Sequence, residues 1–211
     1  MKNRIDHFAI GAATLDQGVA ALRQALGVDV PRGSKHEAMS THNCVMQAGD
    51  ECFFELIAID PDAGDPGRAR WFTLDDPVTR ARLAERPRAL CWVVNTDDLD
   101  AVIAASPVDL GEVVDFRRGD RTWRLTAPAD GHLPEGGLLP VFIEWSPGPH
   151  PSTGQQDLGV RLERVNVRTP DPARLNAIFA ALGVSHLAEI SAGEAGLSFS
   201  LSTPAGPVIL D

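Results

Sequence analysis

One order of elements recurs along this chain, and the recurrence constrains its fold more than any other feature. RIDHFAI (4–10) reads as a strand. Apolar residues at Leu15, Val19, Leu22 and Leu26 follow with helical spacing and end at Gly27, a natural C-cap. VDV (28–30), THNCVMQ (41–47), a turn at AGD (48–50) and CFFELIAID (52–60) complete a β-α-β-β-β unit. A linker rich in Pro, Gly and Asp, DAGDPGRARWFTLDDP, separates it from a second pass. There ALCWVVN is a strand, DLDAVIAAS a short helix, and GEVVDFR, TWRLTAP and PVFIEWS are strands. The loop PGPHPSTGQQ leads to a third pass: LERVNVR, a helix opened by Pro172, then HLAEISA, LSFSLS and PVILD. The expected fold class is α+β, with repeated βαβββ modules forming curled mixed sheets around a cleft. Modules at about 4–60 and 88–146 pair within residues 1–150, and a third occupies 160–211. An odd module has no partner in its own chain, so either a homodimer or an accessory packing role is expected for it.

The first two units also share a polar pattern. His7 lies eight residues before Leu15, and Cys91 lies eight before Leu99. Glu55 follows His7 by 48 residues, and Glu144 follows Cys91 by 53. In the third unit the matching position is Arg164, and the closing strand has no glutamate. A carboxylate amid Phe53, Phe54, Leu56, Ile57 and Ile59 costs several kcal/mol unless it is paired, hydrogen-bonded or bound to a metal. Alternation places Ile5, His7 and Ala9 on one face of the first strand, Phe53, Glu55 and Ile57 on one face of the fourth, and Phe142 with Glu144 in the second unit. If the units pack as a pseudo-symmetric pair, His7, Glu55, residue 91 and Glu144 converge on one cleft. One imidazole and two carboxylates suit a divalent metal such as Mn, Fe, Ni or Zn with open positions. Taken singly, each residue has a plainer reading: His7 as a structural histidine, either glutamate as solvent-facing or paired with arginine, Cys91 as a small buried hydrophobe.

A net charge of −10 argues against nucleic-acid and anionic-membrane partners, which need a basic patch. No apolar run approaches the roughly 20 residues of a membrane span. The N-terminus enters a strand pattern without an apolar signal region, and three cysteines are too few and oddly counted for a disulfide framework. The expectation is a reduced, cytoplasmic protein that binds a small molecule.

At IDHFAI (5–10), the H-x(4)-T-x-N segment HEAMSTHN (36–43), FFELIAID (53–60) and FIEWSPGPHPS (142–152), the chain resembles the vicinal oxygen chelate superfamily, in its glyoxalase-like branch. The similarity covers roughly residues 4–170. In metal-dependent members the ligands come from the first and last strands of two modules. The resemblance therefore implies His7, Glu55, residue 91 and Glu144. Here position 91 is cysteine where many such enzymes have histidine, leaving His7, Glu55 and Glu144 as conventional ligands, or a Cys91 thiolate as a fourth. The resemblance further implies that His36, Thr41 and Asn43 line the cleft, with Cys91 beside the substrate. A three-residue turn, Ala48–Asp50, puts Asn43 and Thr41 on the face of Glu55; a two- or four-residue turn puts His42 and Cys44 there instead. The family pattern favours Thr41 and Asn43.

The implied activity is that of a metal-dependent lyase or isomerase on a small carbonyl or vicinal-oxygen compound, with Glu144 leaving the metal to act as base. The rival readings are a metal-free sequestering protein of the bleomycin-resistance type and a ring-cleaving dioxygenase. The latter is disfavoured because a second histidine is missing from the matched position. Trp145 alternates away from Glu144 and reads as packing, His132 as an exposed loop residue, and Arg117, Arg118, Arg121 and Arg124 as either a solvated face or an anion site.

Overall fold

The structure, a computed structural model, describes residues 2–211. The first unit comprises β1 (Arg4–Gly11), α1 (Leu15–Leu26), β2 (Arg32–His36), β3 (Thr41–Gly49) and β4 (Cys52–Ile59). After α2 (Pro77–Glu85), the second comprises β5 (Arg88–Asn95), α3 (Leu99–Ala105), β6 (Glu112–Arg118), β7 (Arg121–Ala127) and β8 (Val141–Trp145). The third comprises β9 (Arg161–Thr169), α4 (Pro172–Ala181), β10 (Glu189–Ala192), β11 (Gly196–Thr203) and β12 (Gly206–Leu210). No helix among the described residues is long and apolar enough to cross a membrane.

Local chemistry explains the helices. The Thr14 hydroxyl accepts from Gln17 N at 3.1 Å and caps α1, which Gly27 ends in the left-handed region at φ 72°. Asp98 and Asp171 cap α3 and α4 in the same way. The second strand differs from expectation. VDV is not a strand; β2 is the more polar RGSKH, an edge strand against β3. Val30 instead buries its side chain from an irregular segment, so hydrophobicity there marks core contact and not a ladder.

Two faces of one sheet organise the molecule. Eight strands run in the order β2-β3-β4-β1-β5-β8-β7-β6, with the two units joined back to back by the antiparallel β1–β5 pair. In each unit the opening strand pairs parallel with the closing one. The sheet is curled and mixed, as the pattern predicted. Its outer face carries Phe8, Phe54, Trp92 and Phe142, and the inner face carries Ala9, Ile57, Val93, Val141 and Ile143. The third unit makes its own sheet, β10-β9-β11-β12, in which the opening strand is interior and pairs parallel with β10 rather than with β12. It packs on the outer face: Phe199 lies 4.8 Å from Phe8, and Phe179 5.7 Å from Trp92, between ring centroids. The inner face is left to line a cleft.

Candidate functional site

Alternation along β4 directs Phe53, Glu55 and Ile57 to the inner face, and β1 supplies His7 beside them. The chain departs from alternation at Asp6. Ile5 pairs with Val94 and His7 with Val93, so Asp6 is an extra residue, a β-bulge, in the β1–β5 ladder. The bulge lets adjacent residues serve one site. Asp6 is fully buried and accepts hydrogen bonds from four side chains: His7 Nδ1 at 2.5 Å, Trp145 Nε1 at 2.7 Å, His150 Nε2 at 2.9 Å and Asn95 Nδ2 at 3.4 Å. Burial alone would raise its pKa, but the bonds from His150 and His7 outweigh that and hold the carboxyl well below its usual range. Asp6 is therefore a buried carboxylate at neutral pH.

That carboxylate sets the tautomers around it. Ser152 N–H donates to His150 Nδ1, so His150 presents Nε2–H to Asp6. His7 gives its Nδ1–H to Asp6, which turns Nε2 toward the cleft. The His7 ring stacks on Phe53 at 4.4 Å and 15°, and Nε2 lies 3.7 Å from Glu55 Oε2, too far for a direct hydrogen bond.

Glu55 is held from the other side. Asn43 Nδ2 donates to its Oε1 at 2.7 Å and to His36 Nε2 at 3.3 Å, while Asn43 Oδ1 accepts from Ser34 N–H at 2.8 Å. His36 then directs Nδ1–H to the Thr41 hydroxyl at 3.0 Å. Burial pushes the His36 imidazole down to about 4, against the upward pull of Glu55, so it is neutral at physiological pH. The polar floor is thus a chain of contacts, His150–Asp6–His7, a gap, then Glu55–Asn43–His36–Thr41.

Aromatic rings wall the cleft, whose volume is about 370 Å³, within the range of small-molecule sites. Trp71 and Phe72 stack at 5.1 Å, Trp71 contacts Phe116 at 5.4 Å, Phe116 stacks on Trp123 at 5.6 Å, and Trp123 contacts Trp145 at 5.1 Å. Arg118 and Arg121 lie over the Trp123 and Trp145 rings.

The expected residues separate into two groups. His7, Glu55, His36 and Asn43 line the same cleft, and Thr41 sits fully buried behind His36. Val45, not Asn43, stands opposite Glu55, and the turn holds two residues, Asp50 and Glu51. A register shift between Gln47 and Gly49 restores the parity, so Asn43 still shares the face of Glu55. Cys91 is fully buried on the cleft side and does not line it; burial, with Glu55 adding, raises its thiol well above the usual range. Glu144 is not brought to this site. Ala9 pairs with Glu55 and Val93 pairs with Val141, so the counterpart of Glu55 in β8 is Val141. Glu144 lies three residues further, on the outer face, where it accepts from Leu99 N at 2.8 Å and Arg124 Nη2 at 2.9 Å. Among the described residues no group of three or more His, Cys, Asp or Glu is placed to hold a metal ion. With Glu144 turned away and Cys91 protonated, the donors do not fit the metal centre that the resemblance implied.

Sequence reasoning passed over Asp6, His150, Trp71, Phe72 and the cleft role of Trp145. Asp6 carried a faint signal, an acid directly before the candidate histidine inside an apolar strand. Trp71, Phe72 and His150 belong to the two linkers, whose composition marked them only as loops.

A family model described as "Glyoxalase-like domain" matches residues 5–183. Among solved structures, a hypothetical protein from Staphylococcus aureus superposes with a TM-score of 0.58 at 17% identity, covering 99% of this chain and 84% of that one. Methylmalonyl-CoA epimerase from Mycobacterium tuberculosis gives a TM-score of 0.44 at 17% identity, covering 69% and 89%. No curated protein matches the chain.

Proposed function

The chain belongs to the glyoxalase-like domain family, within the vicinal oxygen chelate superfamily, and from that premise we propose that its cleft moves protons on a small carbonyl compound, as a lyase or isomerase. The observation that carries this reading is the His7 imidazole, fixed through Nδ1 to a buried ionised aspartate, with Nε2 free toward Glu55 across 3.7 Å. A general base needs an unprotonated nitrogen aimed at the reacting C–H and a stable home for the proton it gains. His7 has both. Nε2 removes a proton α to the carbonyl, and the C–H electron pair moves into the C–C bond as the carbonyl oxygen takes the negative charge. The imidazolium so formed lies between two carboxylates, Asp6 and Glu55, which stabilise it. A proton then returns to the same carbon from its other face as the carbonyl re-forms, giving the epimer, or a β-substituent departs with the electron pair, giving elimination. Glu55 is the acid–base partner on the opposite side of the gap, held by Asn43.

A second reading, a binding protein without turnover, is favoured by the aromatic wall, which suits retention of an apolar ligand. The two are separated by proton exchange. In D2O, the wild type is expected to exchange α-protons of small 2-oxo acids or 2-oxoaldehydes, followed by proton NMR. His7→Gln and Glu55→Gln, each checked for folding by thermal melts, are expected to lose about 10²-fold or more in rate. No exchange by the wild type across the panel, or undiminished exchange in both variants, refutes the enzyme reading.

A further inference from the structure

The β6–β7 hairpin places four arginines within the eight positions 117–124, in a protein with ten more acidic than basic residues. Their partners differ. Arg124 is paired with Asp100 and Glu144 on the outer face. Arg117 bonds the Gly119 carbonyl of its own turn. Arg121 bonds the Pro149 carbonyl at 2.9 Å, and Arg118 has no hydrogen-bond or ion-pair partner among the described residues. Arg118 and Arg121 are also the two that line the cleft. Elsewhere in the chain arginines commonly find a carboxylate, as at Arg4, Arg70, Arg161 and Arg174. In so acidic a chain, two arginines without an ion-pair partner at the mouth of an aromatic-walled cleft, where Glu55 is the carboxylate that acts on Arg118 from a distance, suit an anion. They are also positioned: each guanidinium rests on an indole, 5.5 Å from the Trp123 centroid and 5.6 Å from that of Trp145. The wall between these cations and Phe72 is formed by Trp71, Trp123 and Trp145, with Phe116, which does not itself line the cleft, linking Trp71 to Trp123, a surface that favours a flat apolar group.

We propose that the substrate class is an aromatic carboxylate bearing a carbonyl, its ring against the Trp71–Trp123–Trp145 wall, its carboxylate on Arg118 and Arg121, and its carbonyl end at His7 and Glu55. This rests on the proposed acid–base reading only for the placement of the carbonyl; the anion and ring sites stand on their own geometry.

Benzoylformate separates the two, because it carries ring, carbonyl and carboxylate but no α-hydrogen, so its binding is independent of proton transfer. Its affinity for the intact chain is measured by titration calorimetry beside methyl benzoylformate, which lacks the charge, and glyoxylate, which lacks the ring. Benzoylformate is expected to bind at least about threefold more tightly than either analogue, the modest factor reflecting partly solvated cations. Arg118→Gln, alone and with Arg121→Gln, is expected to abolish the preference over the ester and keep that over glyoxylate. Arg117→Gln, on the same hairpin but off the cleft, is expected to change neither. Equal binding of acid and ester, survival of their difference in both arginine variants, equal binding of glyoxylate, or no benzoylformate binding at millimolar concentration overturns the proposal. Tight, arginine-dependent binding without wild-type proton exchange on enolisable relatives would instead sink the enzyme reading and leave this one standing.

Discussion

Asp6→Asn tests the centre of the site most directly. Four donors converge on the Asp6 carboxylate: His7 Nδ1, Trp145 Nε1, His150 Nε2 and Asn95 Nδ2. A carboxylate offers about four acceptor lone-pair directions, while asparagine has one acceptor oxygen and an amide that brings two further N–H groups. Whichever way the amide is turned, it opposes N–H to N–H on one side. With no solvent exposure at residue 6, the displaced donors cannot turn to water. Leaving about two buried donors unsatisfied costs roughly 1–3 kcal/mol each, so a loss of about 3–5 kcal/mol is expected. At this chain length that is a fall in Tm of about 6–20 °C, since 1 kcal/mol corresponds to about 2–4 °C. Urea denaturation gives the free energy and a thermal melt the midpoint. The pH dependence has a definite sign. Because the folded-state pKa of Asp6 lies below its unfolded value of 3.8, its contribution is complete above that value and fades as pH falls through and below it. Wild type and variant should therefore differ by the full amount at pH 7 and converge only in strong acid. The substitution also removes the acceptor that fixes the His7 tautomer, so proton exchange should fall by about 10²-fold or more even where the variant is folded. A stability loss below about 1 kcal/mol, or a difference unchanged by acidification, would refute the account of Asp6 as an ionised hub.

Glu144→Gln should cost about 0.5–1.5 kcal/mol in urea, from weakened contacts to Arg124 and the α3 N-terminus, and leave benzoylformate affinity and proton exchange unchanged. Gly33→Ala would set its Cβ 2.1 Å from Asn43 Oδ1, so Asn43 must shift and loosen its hold on Glu55. We expect a loss of about 1–3 kcal/mol and slower exchange, with benzoylformate binding retained in calorimetry. Cys44, Cys52 and Cys91 are all buried, and burial raises each thiol, that of Cys52 to about 12. A colourimetric thiol reagent at neutral pH should label none of them in the native protein and all three in denaturant.

The β-α-β-β-β order, and with it the family fold, was legible because periodicity, caps and turn residues act over a few neighbours and are written locally. His7 and Glu55 were marked by polar side chains in apolar strands, and His36 and Asn43 were implied by the family resemblance; all four line the cleft. The parity of Glu144 was not legible. Its spacing from Cys91 counts loop residues as well as strand residues, and only the β5–β8 register shows that Val141 takes the place of Glu55. Asp6 faces the site through a bulge, a property of two paired strands and of neither alone. Trp71, Phe72 and His150 reach the cleft from linkers, whose course over the sheet depends on surfaces hundreds of atoms away in the chain. The third unit likewise shows its element order in sequence, while its different pairing and its seat on the outer face follow from burial against Phe8 and Trp92. Sequence by itself determined most of the element order and singled out His7 and Glu55 as polar residues in apolar strands, since both signals are local. Tertiary structure alone decided which of those residues meet, because one bulge or one residue of register sends a strand's side chains to the other face of the sheet.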